Sequence, residues 1–564
     1  MEFTFFDALA IIGSLGLFIY GIKKASESIQ KAIGLYLTKL VKTMTRNHLS
    51  GILTGFFLTA AVFSSSSTIV MVVSFVNSGI ITLTESVSII FGAGVGSTVI
   101  TWLVSIFGFE TKITYLFILL LTIGTPLIFS SKNKLKYIGE FVFGVAIVFL
   151  ALSLLIQFVP MVSDATLLTS FTESIQPFGF AENIFFALVG VILTIIMQSS
   201  VASIVFTQVL CFSGIITFDV AIPLVLGQNF GRTINAELAA MSGNVHAKRT
   251  ARIHSLINIF GFLWMVILIS FFPVLNHLDF INVHLFNTDS VFSTYGAPIG
   301  IAVFHSMYNI INSVILIWFI PTLVRLAENN IKSRGRADEI FHLEHLSSNI
   351  SLSTDLSIFE AQKELSKFGE LTHKMNTLSK ELITEQNEEK IQELLKTIAR
   401  YEEITDKMEV EATEFLTKIS QGEMSETSSV QIRGMLRIII NLERIGDIYY
   451  QLSKTIERKI QNQIWFTPQQ RQNILAMFDL IDEAMKHMCF NLSNSYNEAN
   501  IEKAKALEEK INNYRTKLRQ ENFENIEQGE YSYKNATVYS ELFNSLEKVG
   551  DHIINVSEGV AGVL

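Results

Sequence analysis

The sequence predicts an all-α protein in two parts: a polytopic α-helical membrane domain with two inverted repeats containing broken or re-entrant helices, then a soluble pair of three-helix bundles. Three observations carry this. Charge is unevenly divided: residues 1–330 hold 15 Lys+Arg and 14 Asp+Glu, leaving 28 and 38 of the totals 43 and 52 for residues 331–564. Within the apolar part, Gly55–Thr98 recurs as Gly190–Thr233. Within the charged part, a Glu-x-x-x-Asp pair recurs. A chain of 564 residues is too long for one core.

The apolar part, residues 1–330, contains stretches such as Tyr137–Val159 and Gly261–Val274 that are mostly Phe, Ile, Leu and Val. Several approach the ~20 residues needed to cross roughly 30 Å of hydrocarbon. The N-terminus lacks a positive leading region and cleavage site, so it reads as a retained first membrane helix. Basic clusters mark the cytoplasmic side: Lys23, Lys24, Lys31, Lys39, Lys42 and Arg46; Lys132, Lys134 and Lys136; Lys248, Arg249 and Arg252; Arg325, Lys332, Arg334 and Arg336. Acidic or neutral segments alternate with them, at Gly108–Lys112, Pro160–Glu182 and His277–Gly296. Repeat one (about 48–107) then runs from inside to outside and repeat two (about 183–242) from outside to inside. The N-terminus lies outside and the C-terminal domain in the cytoplasm. The basic segment Lys31–Arg46 reads either as an amphipathic helix on the inner leaflet or as a solvated connector.

Aligned without a gap, the two copies are identical at 15 of 44 positions. The matches include Leu58/Leu193, Thr59/Thr194, Ser64/Ser199, Ser65/Ser200 and the run SGIIT, and they are rich in Ser, Thr and Gly. Shared apolar composition would not produce that set. A duplicated pair of polar, Gly-interrupted segments inside apolar helices is the sequence pointer to a secondary-transporter site. Ser64, Ser65, Ser66, Ser67 and Thr68 in copy one, and Gln198, Ser199, Ser200 and Ser203 in copy two, are candidate ligands, with Asn229, Thr98 and Thr233 supporting. Gly92, Gly94, Gly96, Gly227 and Gly231 are expected break points. A broken helix offers N–H groups to an anion at one tip and carbonyls to a cation at the other. Such a site suits an anion carried together with Na⁺. The competing reading is that Ser, Thr and Gly serve only close helix packing. Arg232, the one Lys or Arg between Gly190 and Val245, reads either as an anion contact or as a residue that snorkels to the interface or pairs with Glu237. The second reading asks for less.

The pattern LTxxxQSSxA, then GIIT, then GxNxGxT, resembles the bacterial sodium–phosphate cotransporter family, related to the animal type II cotransporters. Copy two carries it through Gln198, Ser199, Ser200, Ala202, Gly227, Asn229, Gly231 and Thr233. Copy one departs: the family's glutamine is Phe63 and its asparagine Gly94, while Arg232 takes a position that is usually small and polar. The resemblance implies that the two QSSS-type segments form the Na⁺ and phosphate sites.

In the charged part (residues 346–564, after a linker at 331–345), apolar residues recur three and four apart. LRIIINLERIGDI corresponds to LFNSLEKVGDHI, so Glu443/Asp447 and Glu547/Asp551 each share a helix face. Upstream lie Glu402 and Asp406 in one repeat, and Glu508 and Asn512 in the other. This part resembles the PhoU domain, a regulator of phosphate uptake whose E-x-x-x-D pairs bind metal clusters. The resemblance implies a divalent or iron-type metal at Glu402, Asp406, Glu443 and Asp447, and a weaker site at Glu508, Glu547 and Asp551. The alternative is pairing of these acids with bases such as Arg444 and Lys548.

His246, His254 and His305 lack metal-ligand spacing and read as polar packing residues. Neither cysteine, Cys211 or Cys489, has a CxxC partner. No G-x-x-x-x-G-K-[ST] loop suggests ATP-driven transport, and no nucleophile–base arrangement suggests an enzyme. The expected function is sodium-coupled secondary transport of inorganic phosphate across the cytoplasmic membrane by alternating access, regulated by the C-terminal domain. Two alternatives stand: a membrane-tethered phosphate sensor that does not transport, favoured by Phe63 and Gly94, or a carrier that exports phosphate or moves another oxyanion. Expected partners are inorganic phosphate and the lipid membrane. A homodimer and phosphate-signalling proteins are compatible with this reading, and nucleic acid is not expected.

Overall fold

A computed structural model describes residues 5–33, 47–77, 80–109, 113–159, 179–241, 243–332, 354–421, 426–493 and 501–562. Most of the basic segment Lys31–Arg46, of the Pro160–Glu182 loop and of the 331–345 linker lies outside them. All described elements are helical, and they form two compact units, one ending with the helix at Asn330 and one beginning with the helix at Thr354.

In the first unit, α1 (Phe5–Ile33) packs along α7 (Asn133–Phe158), as does α6 (Ile113–Ile128). Lys24 Nζ and Ser28 Oγ reach Glu140 at 2.8 and 3.2 Å, tying α1 to α7. Between them in sequence come the four helices of copy one: α2 (His48–Val62), α3 (Ser65–Asn77), α4 (Leu83–Gly96) and α5 (Thr98–Phe107). Copy two repeats them as α8 (Phe180–Met197), α9 (Ser200–Phe212), α10 (Phe218–Gly231) and α11 (Thr233–Ala240). From the end of α2 to the start of α5, each boundary falls at the aligned position of copy two: Val62 and Met197, Ser65 and Ser200, Asn77 and Phe212, Leu83 and Phe218, Gly96 and Gly231, Thr98 and Thr233. Local chemistry sets several starts. Asn47 and Ser50 form a capping box at α2, and Thr82 and Glu85 form another at α4, each satisfying N–H groups a helix leaves open.

The glycines expected to break helices do something else. Gly92, Gly94 and Gly227 lie inside α4 and α10. A Cβ on Gly92 would sit 1.9 Å from the Ile52 carbonyl oxygen, and one on Gly227 1.8 Å from that of Ala187. Gly55 and Gly190 mirror them at 2.1 Å from the Ile89 and Leu224 carbonyls. These glycines let α2 lie against α4 and α8 against α10, backbone to backbone. The breaks occur at Ser97 and Arg232, one residue after Gly96 and Gly231.

After copy two come α12 (Val245–Phe271), α13 (Val274–His284), α14 (Ala297–Leu316) and α15 (Ile320–Asn330). Helices α12 and α14 each touch both copies. Among the described residues, six helical spans are long and apolar enough to cross a membrane: Phe5–Ile33, Leu83–Phe107, Asn133–Phe158, Phe180–Met197, Val245–Phe271 and Ala297–Asn330. Phe57, Ile196 and Trp318 stand exposed on the outside of this unit, where lipid replaces water. This is a polytopic membrane protein.

The second unit contains α16 (Thr354–Thr384), α17 (Glu388–Ser420), α18 (Glu426–Gln461), α19 (Pro468–Ser493), α20 (Ile501–Glu527) and α21 (Tyr533–Val560). Helices α16–α18 pack mutually, as do α19–α21, and the two sets join through α18 on α21 and α16 on α19. Leu442, Tyr449, Phe478, Met485, Phe543 and Leu546 belong to one shared core. The glycine before each aspartate has a packing cause: a Cβ on Gly446 would meet Thr405 Oγ1 at 2.7 Å, and one on Gly550 would meet Ile511 at 3.1 Å.

Candidate functional site

Each copy breaks its first helix on a residue with positive φ: Phe63 at 56° and Gln198 at 52°. They are aligned positions, and neither is Gly, although the left-handed region disfavours other residues. The next residue caps the new helix in both copies. Ser64 Oγ accepts from the Ser67 N–H at 3.1 Å, and Ser199 Oγ from the Ala202 N–H at 3.2 Å. The equivalence survives the replacement of glutamine by Phe63, whose ring stacks on Phe141.

Not all predicted ligands are therefore free. Ser64 and Ser199 spend their hydroxyls as caps, while Thr68 and Thr98 donate back to the carbonyls of Ser64 and Val95. Ser65 and Ser203 are buried and their Oγ atoms have no protein partner. Ser200 and Thr233 are buried, and Ser67 is half-buried. Gln198 is exposed. Asn235 of α11 donates to Ser66 Oγ at 3.2 Å and to the Gln198 carbonyl at 3.4 Å. One side chain thus ties the break of copy one to the break of copy two. Sequence reading missed Asn235 because its counterpart in copy one is Ile100.

One helical turn earlier on the chain the copies meet again. Arg232 is 5% exposed, and its Nη1 lies 3.5 Å from the Oγ of Ser97, its own aligned counterpart. Its Nη2 donates to Asn258 Oδ1 on α12 and Asn309 Oδ1 on α14, both at 3.2 Å. The expected interfacial position and Glu237 pairing are both overturned, because Glu237 accepts instead from Arg252 (3.2 Å) and Ser255 (2.7 Å). Asn229 completes this layer: its Oδ1 lies 3.1 Å from His305 Nε2, whose ring reaches Thr101 at 3.4 Å on the other side. His254 is buried as well. A guanidinium held in apolar surroundings by neutral oxygens alone is costly, and an oxyanion would offset that cost. The N-termini of α3 and α9, freed at the breaks, add N–H dipoles of the same sign.

In the second unit, Glu402, Asp406 and Asp447 bring one carboxylate oxygen each within 4.8 Å of one another. Burial and the neighbouring acids push Glu402 and Asp406 above the usual carboxylate range. Carboxylates grouped in this way could coordinate a metal ion. Glu443 falls outside that trio. Burial and the neighbouring carboxylates, Asp447 first among them, push its carboxyl up to about 7. The acids of the second set have partners within the protein. Glu547 is held by Arg515 at 2.7 Å, and Glu508 accepts from Asn512 at 3.2 Å. Asp551 remains beside them, raised by burial and by Glu547. Arg515 supplies the positive charge there, a base the sequence reading did not name.

Residues 17–157 and 178–277 match the Na⁺/Pi-cotransporter family, and residues 365–456 match the PhoU domain. The chain is similar to YjbB of Salmonella typhimurium, provisionally named an inorganic phosphate export protein. They share 24% identity over 453 residues, 80% of this chain and 78% of that one. YjbB of Escherichia coli K12, named in the same way, is 23% identical over the same extent. An uncharacterized protein of Bacillus subtilis, YqeW, is 30% identical over 217 residues, 38% of this chain and 68% of its own. No solved structure matches. The chain belongs to the Na⁺/Pi-cotransporter family and carries a PhoU domain, placing it among transporters rather than enzymes.

Proposed function

We propose that the protein carries inorganic phosphate across the cytoplasmic membrane, coupled to Na⁺, by alternating access, under control of its PhoU domain. The observation that carries this is the pair of equivalent helix breaks bridged by Asn235 beside the buried Arg232. Phosphate would sit against the guanidinium and the freed N–H groups of α3 and α9. Na⁺ would take hydroxyl and carbonyl oxygens, including Ser65, Ser66, Ser67 and Ser200, the free Ser203 hydroxyl and the Gln198 carbonyl. Ser64, Ser199, Thr68, Thr98, Thr233 and Asn229 would hold the backbone around it. The opposite charges of the two solutes reduce each other's desolvation cost.

The charge distribution supports inverted copies, an outside N-terminus and a cytoplasmic C-terminal domain. Alternating access would then be a rocking of the repeat core that exposes the site to one side at a time. The acid trio Glu402, Asp406 and Asp447 would hold a divalent cation that sets the shape of the first three-helix set, and through it the regulatory state. A homodimer and phosphate-signalling partners of the PhoU domain fit this scheme. Outward transport is the second reading, favoured by the names of the YjbB relatives; a secondary carrier follows its gradients in either direction.

The test is radiolabelled phosphate flux in proteoliposomes of the purified protein, with Na⁺ gradients of each sign. Flux that follows the Na⁺ gradient supports the proposal. Folded protein that moves no phosphate under Na⁺ or H⁺ gradients would refute it.

A further inference from the structure

We propose that Arg232 is a tethered cation occupying the place of one mobile coupling ion, so that each phosphate binds with one Na⁺ fewer than the same fold would require without the guanidinium. This rests on the Na⁺-coupled reading above and deepens it.

Four observations converge. The guanidinium is surrounded by Ser97 Oγ, Asn258 Oδ1 and Asn309 Oδ1 at 3.2–3.5 Å. Neutral oxygens of this kind are the ligands a hard monovalent or divalent cation prefers. Position 94 borders the head group and carries no side chain. A Cβ on Gly94 would lie 3.0 Å from Asn309 Oδ1 and 3.5 Å from Arg232 Nη2, whereas the aligned residue of copy two is the larger Asn229. Within the described residues, no ion pair includes Arg232, and its Nε is buried without a partner. Finally, copy one carries neutral Ser97 where copy two carries Arg232, so the charge is present once per pair of breaks.

A fixed positive charge in hydrocarbon must find its counter-charge, and the carried anion is the available one. A mobile Na⁺ would deliver the same charge from solution at a cost set by its concentration. The guanidinium is always protonated and cannot leave. It therefore assists anion binding without drawing on the ion gradient, which lowers the number of ions coupled to each phosphate.

The experiment is equilibrium binding of radiolabelled inorganic phosphate to purified full-length protein in nanodiscs, titrated with Na⁺ at constant ionic strength. Arg232→Ser, which copies Ser97, should steepen the dependence of phosphate affinity on Na⁺ by about one ion, an additional factor of about ten per tenfold change in Na⁺. Arg232→Lys keeps the charge and should keep the wild-type slope. Asn309→Asp leaves the arginine in place but sets a carboxylate against it, and should steepen the slope as Arg232→Ser does. If Arg232→Ser does not fold, the Asn309→Asp slope decides. Unchanged slopes in the folded neutralised variants would overturn the proposal. So would a folded Arg232→Ser protein that binds no phosphate even at saturating Na⁺, which would make the guanidinium an obligatory phosphate ligand. Wild-type protein that binds no phosphate at any Na⁺ concentration is a different failure, that of the transport reading itself.

Discussion

Replacing Glu443 by glutamine should stabilise the metal-free PhoU domain at alkaline pH and leave it nearly unchanged at acidic pH. The side chain is half-buried beside Asp447, and its carboxyl is raised from an ordinary 4.5 to about 7. A carboxyl raised by folding binds more protons in the native than in the unfolded state between those two values. Stability is therefore greatest below the unfolded value and falls as pH rises through about 7. Taken in full, that rise corresponds to roughly 3 kcal/mol lost above both values. Solvent screening of a half-buried group reduces it to about 1–2 kcal/mol. The amide of the Glu443→Gln variant carries no charge at any pH, so the difference between variant and wild type should grow from near zero at about pH 5 to that amount at about pH 8. For a unit of this size the difference is about 2–8 °C in melting temperature. The assay is scanning calorimetry of the full-length protein in detergent with a chelator, following the transition that a divalent cation shifts. Identical pH dependence in wild type and Glu443→Gln would refute the reasoning, as would a wild-type domain that gains stability over the same pH range.

Four further outcomes are expected. Ser199→Ala removes the cap of α9 and should lower thermal stability by about 1 kcal/mol, read from a melting curve. Ser65→Ala removes a buried hydroxyl that has no protein partner, so melting should be unchanged while Na⁺-dependent phosphate affinity falls; normal affinity would mark Ser65 as a packing residue. Asn235→Ala strips both bridging hydrogen bonds and should depress flux at least about tenfold with only about 1 kcal/mol of stability lost, read by proteoliposome transport beside a melting curve. Gly227→Ala drives a methyl group onto the Ala187 carbonyl and should cost about 1–3 kcal/mol or more, whereas Gly13→Ala, with nothing within 4 Å, should melt as wild type does.

What the sequence makes legible here is what is local or repeated. The copy alignment places Phe63 opposite Gln198, and both adopt the same left-handed turn because the capping serine that follows is shared. The capping role of Ser64 and Ser199 is also readable, since Ser at a helix start is the preferred cap, but a serine among other hydroxyls reads equally well as a ligand. Gly92 and Gly227 show the opposite failure. Gly suits both a break and a close contact, and only the position of the opposing carbonyl decides between them. Asn258 and Asn309, which meet Arg232, and His305, which meets Asn229, come from α12 and α14, outside the repeat, so no internal comparison could place them there. In the PhoU domain, spacing puts Glu443 and Asp447 on one face. Which of them joins Glu402 and Asp406 is set by the packing of α18 on α17, and there the trio contains Asp447.

The two copies differ at a position where they touch, and the geometry gives a reason. Ser97 and Arg232 occupy aligned positions and contact each other, so a residue placed at both would have to pack against itself. Two arginines would set like charges a few ångströms apart in a buried layer, at a cost of several kcal/mol. Two serines would leave the layer without a fixed charge. One arginine facing one serine satisfies both constraints, but only if room is made for the longer side chain. Gly94 borders the guanidinium on copy one, while Asn229 at the aligned position of copy two engages His305. Gly94 and Arg232, which separately depart from the pattern of the other copy, are neighbours in this packing.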